Sequence, residues 1–203
     1  MTSGFDPVEG ETPIDPSDLK IKSIKSRSDL LPYEAKNILK ATLKYLAARP
    51  SQRSAPFDYA WLLKLHEEMF GDVKISAGKA RTRNLTIGIE WQHIALTLSK
   101  FVKEIEAFEN DADRRLEQAV RIHHRAVQIH PFYDGNGRWS RMLANIWLRL
   151  HAKSVIEWPE AEVGETASSI RRDYIAAVQA ADDYDIEPLT KLHRRYWSDA
   201  KKR

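Results

Sequence analysis

The chain has 203 residues, of which 42% are hydrophobic and 30% charged, with a net charge of +3. This is the make-up of one water-soluble packed domain with an arm to spare, and so mild a positive balance admits an anionic ligand without arguing for nucleic acid. The lack of cysteine excludes disulfides, thiolate catalysis and cysteine-held metals. No apolar run reaches membrane-spanning length and the start, MTSGFDPVEG, does not resemble a signal peptide, so a cytoplasmic protein without a membrane partner is expected.

Residues 1–27 alternate Pro7, Pro13 and Pro16 with acidic residues, then switch to Lys20, Lys22, Lys25 and Arg27; with few large apolar side chains, a poorly ordered arm is expected. The segment 28–54 is read as a helix on the core. It starts near Pro32, with Ser28 or Asp29 as cap, keeps helical spacing through Ile38, Leu39, Thr42, Leu43 and Leu46, and ends before Pro50. The main domain covers 55–198. A helix runs from the cap Asp58 to Phe70 and is stopped by Gly71. The texture then changes: in KISAGKARTRNLTIGIEW, Leu85, Ile87 and Ile89 alternate on one face, which predicts a short β-hairpin flap at about 79–91.

Helices are predicted at 91–109 and 114–130, parted by Asn110-Asp111-Ala112-Asp113, then at 136–151, near 165–181 and near 187–199, with 199–203 a basic tail. The fold class is mostly α, a helical bundle with one hairpin. Trp139 and Trp147 read as core. His66, His93, His123 and His124 read as structural or surface residues, since no zinc pattern accompanies them. Lys79, Arg81 and Arg83 serve either phosphate and substrate or only the solubility of the flap. The ending KLHRRYWSDAKKR reads as a solvated final helix, and no nucleic-acid partner is expected.

The stretch HPFYDGNGRWSR, residues 130–141, carries the chemistry. Pro131 ends the helix that delivers His130, because it lacks an amide hydrogen and disfavours helix in the residue before it. The helix that keeps time through Trp139, Met142, Leu143 and Ile146 follows Asp134-Gly135-Asn136-Gly137 at once. Its glycines let backbone amides approach a ligand, and its N-terminus is a ready anion site. Arg138 and Arg141 are electrostatically misplaced there unless a polyanion is bound. Asp134 is the nearest hard-oxygen ligand for a divalent cation, and His130 the side chain suited to proton abstraction.

This stretch matches, residue for residue, the Fic signature HPFx(D/E)GNGRxxR, and the upstream HEEMFGDVKISAGKARTRNLTIGIEW and downstream RRDYIAAVQAADDYDIEPLTKLHRRYW also resemble that family. The arm TPIDPSDLKIKSIKSRSDLLPYEAKNI resembles the bacterial subgroup called mobile mystery protein B. The resemblance implies a Fic-type bundle and a protein adenylyltransferase that moves AMP from ATP to a Ser, Thr or Tyr hydroxyl of a target protein. It implies His130 as general base, Asp134 as the Mg2+ ligand and Gly135, Asn136 and Gly137 as the anion hole. Arg138 and Arg141 would contact the outer phosphates, and the flap residues Arg83, Asn84, Leu85, Thr86, Ile87, Gly88 and Ile89 would dock the target edge-to-edge. Gly137, where the phosphorylating branch carries lysine, favours nucleotidyl transfer.

The self-inhibitory pattern (S/T)xxxE(G/N) is missing, since the only Ser or Thr followed four residues later by Glu is Thr86 before Glu90, and Trp91 comes next. A separate inhibitory partner protein, with this chain the toxin-like member of a pair, is therefore the expectation, with Glu34 as an internal alternative. Transfer of UMP or phosphate, and a nucleotide-binding module without catalysis, stand as other readings of the same signature.

Overall fold

Leu62, Leu65, Met69 and Phe70 share one face of a single helix, and such a stripe must be covered. In the computed structural model, which describes residues 5, 13–47, 50–108, 114–164 and 167–198, it is covered by a bundle. Helices α1 (Arg27–Thr42), α2 (Tyr59–Phe70), α3 (Ile94–Phe108), α4 (Arg115–Ile129) and α5 (Asn136–His151) precede a short strand β1 (Val155–Ile156). Helices α6 (Glu160–Gly164), α7 (Ser169–Asp182) and α8 (Glu187–Tyr196) and strand β2 (Trp197–Ser198) follow. The pair α4 and α5 forms the spine; α2 and α3 lie on one side, and the α7–α8 pair packs against α4. Trp139 and Trp147 are fully buried in this core, as expected. The mostly α class holds, and the cap at Asp58 is in place, its Oδ1 accepting the Trp61 amide hydrogen at 2.8 Å.

Four expectations are corrected. First, α1 begins at Arg27 behind the cap Ser26, whose hydroxyl accepts the Asp29 amide hydrogen at 3.2 Å, so Pro32 lies inside the helix. The face it buries carries Leu30, Glu34, Asn37 and Ala41, with Tyr45 following in a π-helical turn (Leu43–Ala47), while Leu39 and Leu43 stand 55% and 56% exposed. The apolar spacing named the wrong face because the buried face carries charge, for the reason given below.

Second, the flap has no strand: residues 79–91 form no ladder, and the one sheet among the described residues pairs β1 antiparallel with β2. Buried Arg81 crosslinks the limbs instead, donating to the carbonyls of Arg83 at 2.9 Å and of Ile89, while Asn84 Oδ1 accepts the Trp91 amide hydrogen at 3.0 Å. The predicted alternation survives, with Leu85, Ile87 and Ile89 half-buried between exposed neighbours.

Third, the predicted helix 187–199 stops at Tyr196, where the chain turns extended and Ser198 and Trp197 pair with Val155 and Ile156. Fourth, Pro13 to Lys25 do not trail away. Leu19 and Ile24 are buried with Phe5, Leu30 and Val73 in a second small core, each contributing about 2 kcal/mol. Lys20 donates to the Val73 carbonyl at 2.8 Å and Ile75 to the Asp18 carbonyl at 2.9 Å, an antiparallel bridge of Leu19 with Lys74. An average over residues 1–27 hides Phe5, Ile14, Leu19, Ile21 and Ile24, which gather in that core with Leu30 and Val73. The rest of the arm, the turn 109–113 and the tail 199–203 lie outside the described residues.

Candidate active site

His130 leaves α4 in a left-handed conformation (φ 51°, ψ 59°), a strained setting for a residue with a β-carbon, and Pro131 follows. Arg81 holds it there, its Nε donating to the His130 carbonyl at 2.8 Å while its own amide donates to the Pro131 carbonyl at 2.9 Å. Arg81 thus belongs to neither role that the sequence offered; it bolts the flap to the loop. Gly88 comes so close that a β-carbon there would stand 2.5 Å from that of His130, which sets the flap backbone beside the imidazole. Burial, with the Arg81 guanidinium second, pushes the His130 pKa down to about 4, so the ring is neutral at physiological pH.

The loop is closed by Asn136. Its side-chain oxygen accepts the Phe132 amide hydrogen at 2.9 Å and its Nδ2 donates to the Phe132 carbonyl at 2.8 Å, so the side chain serves the loop rather than a ligand. Phe132 stacks on His66 (3.6 Å between rings) and meets Trp139 edge-on. His66 accepts from the Gly78 amide at Nδ1 and so donates through Nε2 to the Asp134 carbonyl at 2.9 Å. Burial drives its pKa down to about 3, the state of a structural histidine.

Gly135 caps α5 at φ 80°, where a β-carbon would strike Phe70 at 2.7 Å, and no side chain caps the helix. Its first-turn amides keep the partial positive charge of a helix N-terminus. At Gly137 a β-carbon would meet nothing nearer than Arg141 at 3.5 Å. The fold does not require glycine there, and the space it leaves lies over the Arg141 guanidinium.

Both arginines are engaged by carboxylates that the signature does not contain. Arg138 Nη1 donates to Glu34 Oε2 at 2.6 Å and its guanidinium lies 4.9 Å over the Phe70 ring. Arg141 makes a two-pronged pair with Glu160 on α6, Nε–Oε1 2.9 Å and Nη2–Oε2 2.5 Å, and its guanidinium lies 5.5 Å over the Tyr174 ring. Glu34 is only 2% exposed and shares its other oxygen with Lys74 at 3.1 Å. This is why α1 buries a charged face. Tyr174 is seated in turn by His123, and His123 by His193, each link 2.9 Å. Glu34 was named from the sequence; Glu160, Lys74 and Tyr174 were not, because nothing local marks them.

Asp134 Oδ2 is in contact with the Lys74 ammonium, and its Oδ1 accepts the Gly135 amide hydrogen at 2.6 Å and faces Arg138 at 3.8 Å. Burial opposes its charge, yet Lys74 and Arg138 outweigh burial and hold the carboxyl well below the usual range. Lys74, Asp134, Ser76 and Arg83 line a cavity of about 330 Å³, roofed by arm residues Ile14 and Asp15. The flap residues from Arg83 to Ile89 flank His130 on one side, and Arg83 also lies 5.4 Å over the Tyr133 ring. The structure therefore gathers His130, Asp134, Gly135, Gly137, Arg138 and Arg141 at one end of α5, with the flap alongside. Among the described residues no three His, Asp or Glu side chains converge as metal ligands, and no helix is long and apolar enough to cross a membrane.

Residues 56–148 match the model of the Fic/DOC family. The chain is 27% identical over 180 residues to a protein adenylyltransferase Fic from Culex quinquefasciatus, covering 84% of this chain and 32% of that protein. It is also 27% identical over 136 residues to the enzyme of the same name from Drosophila ananassae, covering 64% of this chain and 26% of that protein. The chain thus spans about a third or less of these relatives. Among solved structures it superimposes on the N-terminal Fic domain of a VirB-translocated Bep effector from Bartonella quintana, with TM-score 0.68, 20% identity, and coverage of 98% and 93%. It also superimposes on BepC of Bartonella tribocorum with bound AMPPNP, with TM-score 0.63, 18% identity, and coverage of 94% and 95%. The likeness to the Fic/DOC family thus centres on residues 56–148, the segment that carries α2 to α5 and the loop 130–141.

Proposed function

We propose that the protein is an adenylyltransferase that transfers AMP from ATP to a Ser, Thr or Tyr hydroxyl of a target protein. The observation that carries this reading is the neutral, strained His130 held against the flap beside an uncapped helix N-terminus with two arginines. The relatives named adenylyltransferase, and the ADP and AMPPNP bound in two of the solved neighbours, support it. Gly137 supports nucleotidyl transfer, since it leaves room over Arg141 for a phosphate to reach the backbone.

In this mechanism the flap from Arg83 to Ile89 pairs with an extended target segment and sets its hydroxyl beside His130. The imidazole takes the hydroxyl proton, the oxygen attacks the α-phosphorus, and the bond to the β-phosphate oxygen breaks. Pyrophosphate leaves and the target carries AMP. Helix amides of Gly135 to Arg138 and the guanidinium groups of Arg138 and Arg141 stabilise the charge that moves onto the leaving group.

A magnesium ion would screen phosphate charge, and it is commonly held by one or two carboxylates together with the phosphates themselves. Asp134 is the ligand the motif offers, but both its oxygens are engaged by N–H donors, so as placed it does not fit that ion.

The reading further includes a bacterial, cytoplasmic protein of the mobile mystery protein B type, the toxin-like partner in a pair whose second protein restrains it. Internal restraint has its own support, since Glu34 and Glu160 sit on the arginines that phosphate would need. Glu160 is half exposed, so its pair is weak in itself and competes with a ligand more than it stabilises the fold. Glu160→Gln is expected to tighten ATP binding about fivefold by removing that competition. Equilibrium dialysis measures it, and weaker binding would make Glu160 a support for Arg141 instead.

The activity itself is tested with ATP labelled at the α- or at the γ-phosphate, incubated with the protein and a bacterial lysate. Label on protein from the α-position alone is expected. Label from the γ-position would overturn the reading in favour of phosphotransfer.

A further inference from the structure

A buried cation beside the motif loop has no part in that mechanism. Lys74 is 3% exposed, and its ammonium lies between Asp134 Oδ2 and Glu34 Oε1. An ammonium this deep is held only where carboxylates meet it.

The fold aims this side chain from both ends. The Lys74 amide donates to the Phe70 carbonyl at 2.9 Å, finishing α2, and its neighbours bridge to the arm through Lys20–Val73 and Ile75–Asp18. Val73 turns into the small core with Leu19 and Ile24, while Lys74 turns to the motif loop. The head group reaches the wall of the cavity it shares with Asp134, Ser76 and Arg83. It stands at the oxygen of Asp134 that a divalent ion would have to take.

Charge completes the case. Lys74 and Arg138 face Glu34 and Asp134 two against two in one buried cluster. Bringing in a divalent ion requires expelling the lysine, which breaks two buried pairs at once. A phosphate that draws Glu34 off Arg138 leaves Lys74 where it is, still fixed by Asp134 and still facing the cavity.

We propose that Lys74 is the built-in counter-cation of the phosphate site: its ammonium, seated on Asp134, meets nucleotide phosphate in place of a divalent metal ion. This rests on the nucleotide-binding reading above. It predicts a Fic domain whose ATP binding has little need of magnesium.

The test is equilibrium dialysis of the full chain with α-labelled ATP, in magnesium and in excess EDTA, for wild type and Lys74→Met. Wild-type affinity is expected to agree within about threefold between the two buffers, whereas Lys74→Met binds at least about tenfold more weakly in EDTA and recovers in magnesium. A wild-type loss of about tenfold or more in EDTA overturns the proposal while leaving the nucleotide site standing. So does a folded Lys74→Met that binds equally well in both buffers. No binding by wild type in either buffer overturns both this inference and the adenylyltransferase reading. Should Lys74→Met fail to fold, the wild-type comparison decides alone.

Discussion

Replacing His130 by alanine is expected to lower the rate of AMP transfer about a thousandfold, within the range that a positioned general base contributes, and to leave ATP affinity unchanged. The group acts only as the target hydroxyl loses its proton, so kcat falls while KM for ATP holds. Because burial and Arg81 hold the imidazole pKa near 4, the wild-type rate is also expected to be nearly flat from pH 8 down to 5.5. An unperturbed histidine, with a pKa of about 6.5, would lose about tenfold over that interval. Initial rates across the range decide between them: a limb centred near 6.5 would mean either that another group is the base or that bound substrate resets His130. If the alanine protein also lost ATP affinity in step with rate, His130 would be holding nucleotide rather than taking a proton.

Local chemistry made part of this site legible. A proline after His130, glycines at 135 and 137 and paired arginines act within a dozen residues, and the loop they predict is the one found. The helical cores of α2, α4 and α5 were legible for the same reason, as apolar periodicity reports burial when the buried face is apolar. That rule failed on α1, where Glu34 and Asn37 occupy the inner face and two leucines face outward. Sequence could not pair Glu34 with Arg138, or Glu160 with Arg141, since such ion pairs depend on which faces meet across 104 and 19 residues. The flap shows a different failure. Alternation was read correctly, but it does not say whether backbone or the Arg81 side chain joins the limbs. Lys74 was passed over because one lysine between Val73 and Ile75 looks like any surface charge until the arm covers it.

Acid is expected to unfold the protein between about pH 5.5 and 4, above the range in which paired carboxylates titrate. The cause is a set of histidines kept neutral by burial: His66 at about 3, His130, His151 and His193 at about 4, and His123 well below its ordinary value. Arg81 adds to the effect at His130, Arg115 at His151, and His193 and Arg141 at His123. In the unfolded chain each takes a proton near pH 6.5, so above that value the shift has no consequence for stability. As pH falls below it, the unfolded state binds protons that the native state refuses, and stability drops until the folded pKa is reached. Each histidine contributes a slope of up to about 1.4 kcal/mol per pH unit. Counting the coupled His123–His193 pair and half-buried His151 at half value, the loss at pH 5 is about 7 kcal/mol, comparable with the whole stability of an ordinary domain. The depressed carboxyl of Asp134 works in a lower window: its contribution is intact above its unfolded value near 3.8 and is lost only further into acid. A melting temperature flat above pH 7 and falling steeply below 6, with proton uptake of several per molecule on unfolding near pH 5, is the expected calorimetric record. A fall confined below pH 4 would assign acid lability to the carboxylates instead. The hydrogen-bond direction explains why the histidines resist. His193 Nδ1 donates to the Leu189 carbonyl, so its Nε2 must accept from His123, whose Nε2 then accepts from the hydroxyl of Tyr174, the ring on which Arg141 lies. A proton added to either ring turns an acceptor into a second donor and breaks that chain. Nucleotide binding is thus expected to fail at the same pH as the fold, because Arg141 lies on Tyr174, which is seated by the histidines whose neutrality keeps the bundle closed.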